Sequence, residues 1–223
     1  MVAGLGVALV FSLTLLLVGC GGPRESHTIA DTAPEETTLP SQGPAPDFEL
    51  TNQDGQRVRL SDFHGQVVLM DFFYASCPDF CPVMNGNFKQ VYDAVDEEIR
   101  AKVVLLSISF DPLTDTPDTL KEYAQSHGFN VPNWHFLTGT LEEIERVTSA
   151  YQIAAQETEP EVHIHPDGTV HVHERDFGHL AQALLIDQEG EVRKAYLGVP
   201  QGGEIFSPQL IVRDIEFLLS SRE

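Results

Sequence analysis

The sequence predicts an α/β fold built on a central mixed sheet. Two continuous runs of β-branched and aromatic residues, Gln66 to Tyr74 and Val103 to Phe110, are each followed by apolar residues at helical spacing. A strand-turn-strand pattern follows towards the C-terminal end. Strands that are apolar at successive positions are those covered on both faces, and strands alternating with helices pack as parallel neighbours.

In chain order, Pro46-Asp47-Phe48-Glu49-Leu50, the turn Gln53-Asp54-Gly55-Gln56 and the alternating Val58 and Leu60 predict an N-terminal hairpin. Gln66 to Tyr74 is the central strand and runs straight into Ala75-Ser76-Cys77. Val83, Phe88, Val91, Val95 and Ile99 form one apolar face of a helix over 83–100, and Val103 to Phe110 is a second buried strand. Thr116 as cap, with Pro117 at the first helical position, starts a helix that reaches His127. Phe136 marks a short strand and Leu141 to Ala150 a third helix. His171 to Asp187 and Glu191 to Leu197 predict a last hairpin around Gln188-Glu189-Gly190, and a final helix spans about Ser207 to Leu219. This order is that of a thioredoxin-like fold, a central mixed sheet flanked by helices, with an N-terminal hairpin and a His-rich hairpin insertion.

The 223 residues carry 34 Asp plus Glu against 13 Lys plus Arg, a formal charge of −21. A chain this acidic has no electrostatic means of holding a phosphate backbone, so nucleic acid is excluded as a partner. Such a charge suits a saline habitat, where salt screens self-repulsion, or docking to a basic partner. Three cysteines do not make a disulfide scaffold, and their odd number gives them different tasks.

Val2 to Val18 is almost wholly apolar, ends in Leu17-Val18-Gly19-Cys20 and is followed at once by Gly21-Gly22-Pro23. A run shorter than the ~20 residues of a membrane span reads as a secretory signal. Small residues next to Cys20 resemble a bacterial lipobox, so residues 1–19 are expected to be a lipoprotein signal peptide with Cys20 lipidated. Residues 20–43, rich in Thr, Pro, Glu, Ser and Gly, are expected to be a flexible tether bearing His27, and 44–223 the folded domain, held outside the cytoplasmic membrane.

The chemistry concentrates at Cys77-Pro78-Asp79-Phe80-Cys81-Pro82, where the central strand hands over to a helix. Helix N-terminal amides favour thiolate, so both sulfurs are expected to have lowered pKa values. A spacing of four residues puts their Cβ atoms ~5 to 6 Å apart on one helical face, close enough to share a metal ion or to form a disulfide.

That motif, with Asp111-Pro112-Leu113-Thr114-Asp115-Thr116-Pro117, Trp134-His135-Phe136-Leu137-Thr138-Gly139, and His179 eight residues before Asp187, resembles the Sco/SenC copper chaperones over residues 44–223. The resemblance implies that Cys77, Cys81 and His179 bind a single copper ion. It also implies help in assembling the dinuclear copper centre of cytochrome c oxidase, whose copper-accepting subunit, or a related copper enzyme, would be the partner. Phe73 and Ala75 depart from the glycine and threonine frequent in the family. Two thiolates and an imidazole suit Cu(I), and Cu(II) accepts them with an added water or carbonyl. Zinc competes for such donors but usually takes four. The alternative function is an extracytoplasmic thiol-disulfide oxidoreductase, Cys77 attacking and Cys81 resolving. Three residues rather than two between the cysteines, and no proline from Asp167 to Val199 to face them, argue against it.

One feature is particular to this chain: His163-Ile164-His165-Pro166-Asp167-Gly168-Thr169-Val170-His171-Val172-His173. A three-residue Pro-Asp-Gly loop pairs His165 with Thr169 and His163 with His171, putting all four histidines on one face, an auxiliary copper site. A two-residue loop splits them across both faces, and the competing reading is a solvated polar hairpin. Met84 is expected in the core, Asp71 to be either a hydrogen-bonded acid at the sheet edge or an influence on the cysteines, and Asp111 and Asp115 to serve turns and caps. His64, His127 and His135 are expected at the surface.

Overall fold

A computed structural model describes residues 38–77, 80–153, 156–158, 161–164, 170–173, 176–178, 182–197 and 207–220. The expected signal peptide, Cys20, His27, His165 and His179 lie outside the described residues.

The first hairpin pairs β1 (Glu49–Asn52) with β2 (Arg57–Arg59), Leu50 opposite Val58. Its turn is shaped by the Asn52 side chain, which accepts from the Asp54 and Gln56 amides, and by Gly55 at φ 76°, a conformation other residues adopt at a cost. A 3₁₀ turn, Leu60–Phe63, leads into β3 (Val67–Phe73), every residue of which is buried. β4 (Val103–Ser109) is buried throughout as well. β5 (Trp134–Thr138), β10 (Gln182–Ile186) and β11 (Val192–Leu197) complete a seven-stranded sheet of order β11-β10-β3-β4-β5-β1-β2. β3, β4 and β5 run parallel and the other pairings are antiparallel, giving the expected mixed thioredoxin-like sheet.

The helix expected over 83–100 is two helices, α1 (Phe80–Ala94) and α2 (Glu97–Arg100). The break has a local cause: the Asp96 carboxylate caps the Ile99 amide, and the Arg100 guanidinium takes up the carbonyls of Tyr92 and Val95, left open where α1 stops. The buried stripe of α1 is Cys81, Met84, Asn85, Phe88 and Val91, whereas Val83, expected on it, is 49% exposed. Thr116 caps α3 (Pro117–Ser126), and a Thr140–Glu143 capping box starts α4 (Leu141–Ala150). α5 (Pro208–Ser220) buries Ile211, Asp214, Ile215 and Leu218. Lys194 and the Tyr196 hydroxyl both bond Asp214, tying α5 to β11.

Two expectations change. Leu39, Gln42 and Gly43 fall in the expected tether, yet Leu39 is buried, its carbonyl accepts from Arg193, and Gln42 and Gly43 exchange backbone bonds with Val192. The continuous strand expected over His171–Asp187 is three strands: β8 (Val170–His173), β9 (Asp176–Gly178) and β10. β8 pairs with β7 (Glu161–Ile164) and β9 with β6 (Gln156–Thr158), whereas β10 joins β3 in the main sheet, two ladders that one straight strand cannot serve.

Candidate metal centre

β3 and β4 end side by side, and the loops leaving them make the rim on which α/β sheets carry their sites. Phe73, the last residue of β3, is fully buried against the rings of Tyr123 and Phe136, centroids 5.3 and 5.6 Å away. The aromatic ring at this position therefore fills core volume. The turn that follows is closed by the Cys77 amide bonding the Tyr74 carbonyl at 3.2 Å. It is held to the end of β4 by Asp115, whose carboxyl accepts from the Ala75 amide at 2.9 Å and the Ser109 hydroxyl at 2.5 Å. The Asp111 amide donates to the same Ser109 oxygen, and the Asp111 carbonyl accepts from Thr114 and Asp115. Asp111 thus serves a turn as expected, while Asp115 pins the loop that carries Cys77.

Cys77 precedes α1 and Cys81 is the helix's second residue, so the pair does not share one helical face. The thiols nonetheless meet, with Cys77 hydrogen-bonding Cys81. Both are reduced and buried, Cys77 at 7% exposure and Cys81 at 0%. The pKa of Cys81 is opposite to expectation. Burial pushes its thiol well above the usual range, the neighbouring Cys77 sulfur and the Asp71 carboxyl push the same way, and only a bond with the Tyr74 backbone opposes them. The position near a helix start does not outweigh the loss of water around a sulfur.

Beneath the pair lies a polar network. Asp71 is fully buried in β3, flanked by Ala183 of β10 and Ser107 of β4, so it sits mid-sheet and not at an edge. Its carboxyl accepts from Asn85 at 2.9 Å; the Asn85 amide also reaches Ser107 Oγ at 3.2 Å, and the Asn85 carbonyl accepts from the Tyr123 hydroxyl at 2.8 Å. Trp134 Nε1 donates to Ser107 at 3.1 Å. Burial raises the Asp71 carboxyl to about 7 and that of Asp115 to about 6. One oxygen of each, Oδ1, finds no partner among the described residues. Asp71 is thus hydrogen-bonded as expected, though in mid-sheet and not at the expected edge, and its carboxyl adds to the upward push on Cys81. Sequence reading missed Asn85, Tyr123 and Ser107; the signal was Asn85, a polar residue four after Cys81 on the buried stripe of α1.

Met84 is fully buried, as expected. His64 and His127 are exposed, but His135 is half-buried beside Phe63, and burial lowers its pKa. Pro78 and Asp79 lie outside the described residues. In the His-rich segment the described backbone pairs His163 with His171 and Glu161 with His173, the register of the three-residue loop. Among the described side chains no three His, Cys, Asp or Glu converge on a common point.

A thioredoxin-like sheet with a thiol pair at the strand-to-helix turn defines a class of thiol proteins that hold soft metals or exchange disulfides. Within that class, residues 36–208 match the family described as SCO1/SenC, and the chain belongs to it. It is similar to the copper-bound structure of Bradyrhizobium japonicum ScoI, 27% identical with a TM-score of 0.61, covering 78% of this chain and 99% of that one. A SCO1/SenC family lipoprotein from Bacillus anthracis is 29% identical with a TM-score of 0.59, covering 80% and 96%. BsSco, described with a disulfide switch and as a member of the Sco family of cytochrome c oxidase assembly proteins, is 25% identical with a TM-score of 0.60, covering 83% and 99%.

Proposed function

We propose that this chain is a membrane-anchored copper chaperone that binds one copper ion through Cys77, Cys81 and His179 and helps deliver it to the dinuclear copper centre of cytochrome c oxidase. The observation that carries this reading is the meeting of two reduced sulfurs at the rim. Their chemistry fits the cargo: a pair of thiolates is a soft donor set that suits Cu(I), and a third donor from the distant His179 leaves the shell incomplete and the ion exchangeable. Copper must displace the Cys81 proton, so loading releases a proton and tightens as pH rises. The copper bound in the ScoI neighbour and the assembly role named for BsSco support the cargo and the client. The lipidated Cys20, set within Leu17-Val18-Gly19-Cys20, gains support from the lipoprotein neighbour and accounts for an extracytoplasmic, membrane-held domain.

Copper uptake by the reduced full chain, compared with Cys77→Ala, Cys81→Ala and His179→Ala, tests the reading. Each substitution is expected to weaken binding. A wild-type chain that takes up no copper yet reduces disulfides catalytically belongs instead to the oxidoreductase reading. That second reading has one observation in its favour: thiols that hydrogen-bond each other are placed to interconvert with a disulfide, passing two electrons and two protons to an oxidant.

A further inference from the structure

The pairs Gln156 with Gly178, Glu157 with Phe177 and Thr158 with Asp176 have the same register as Glu161 with His173, Val162 with Val172, His163 with His171 and Ile164 with Val170. Among the described residues, the β6-β9 and β7-β8 pairs therefore share one antiparallel offset, each outside the seven-stranded sheet. Alternate residues of a strand belong to one face, and directly paired residues share a face. Glu161, His163, His171 and His173 thus fall on one face of this ribbon, and Val162, Ile164, Val170 and Val172 on the other.

We propose that Glu161, His163, His171 and His173 form a second metal site, for a divalent first-row cation with copper(II) the best match. Paired positions stand about 4.5 to 5.5 Å apart at Cβ, and successive same-face positions about 7 Å along the strand. Two successive cross-strand pairs therefore place four donor-bearing residues on one face by register alone. Three imidazoles and a carboxylate are nitrogen and oxygen donors with no thiolate, a set whose affinity peaks at Cu(II) along the divalent series. The rim thiols favour Cu(I), so the two sites differ in the oxidation state they prefer. The residue after Gly178 is His179, so the ribbon's second strand leads directly to the histidine assigned to the rim. The ribbon site stands on its own register and does not require the chaperone reading.

The test is Cu(II) titration of the full chain bearing Cys77→Ser and Cys81→Ser, against glycine as competitor, followed by electron paramagnetic resonance. A single tightly held ion with nitrogen hyperfine structure is expected. Adding His171→Ala and His173→Ala should weaken it at least about a hundred-fold, beyond the loss typical of residues that only support a ligand. The paired change His171→Val and Val172→His keeps the composition and moves one imidazole to the opposite face; it should weaken binding at least about ten-fold. In the chain with both rim cysteines intact, the same histidine changes should remove this signal and leave thiolate-to-copper absorption unaltered. The proposal is overturned if the cysteine-free chain takes up no Cu(II), or if the register-shifted chain binds as tightly as its parent.

Discussion

The rim and the ribbon, the two regions proposed to hold metal, place their candidate donors by opposite means. At the rim, Cys77 and Cys81 come from a loop and a helix, are buried, and meet only because β3, β4 and α1 pack together above the Asp71–Asn85–Tyr123 network. On the ribbon, strand pairing alone puts His163, His171 and His173 on one face. A site assembled by packing inherits the dielectric of the core, and its thiol is harder to ionise there. A site assembled by register owes nothing to that core, so changes beneath the rim should leave it untouched.

The sharpest way to break this contrast is at the rim's own donors. Cys81→Ala should lower Cu(I) affinity by more than about a hundred-fold in a chelator competition, exceeding the loss expected of a supporting residue. Cu(II) uptake by the ribbon should not change, and a parallel loss there would show the two regions to be one site. Next in size, Phe73→Ala removes a fully buried ring from between Tyr123 and Phe136 and should cost ~3 to 5 kcal/mol in denaturant unfolding. Asp115→Ala removes the acceptor that pins Ala75. It should cost ~1 to 3 kcal/mol and loosen Cu(I) binding, and unchanged affinity would mean the pin does not position Cys77.

A further effect concerns pH. The folded chain holds the Asp71 carboxyl at about 7, above the ~4 of an exposed carboxylate. The stability this contributes is complete below the unfolded value and is lost as pH rises through the folded one. Asp115, at about 6, acts with the same sign. The lowered His135 pKa acts the other way, its contribution being lost as pH falls. Asp71→Asn should therefore gain in unfolding midpoint relative to the parent as pH rises from 5 to 8, and a difference that stays flat over that range would refute the assignment.

The strand and helix order was legible because the main sheet is buried on both faces, so its strands appear as unbroken apolar runs such as Val67–Phe73 and Val103–Ser109. The helix start at Thr116 was local too, since a cap satisfies backbone groups within four residues. Cys77 and Cys81 were found by their position after a strand, and the histidine register by the length of the Pro-Asp-Gly loop. These features depend on neighbours along the chain.

Tertiary structure decided the rest. The break at Val95–Asp96 and the division of His171–Asp187 between ribbon and main sheet follow from which partner each segment meets. Asp115 reaches Ala75 across forty positions, and Tyr123 reaches Asn85 across thirty-eight. The ionisation of Cys81 is of the same kind: the sequence placed the thiol at a helix start, where amides favour the anion, but packing removed its water, and the lost hydration is the larger effect.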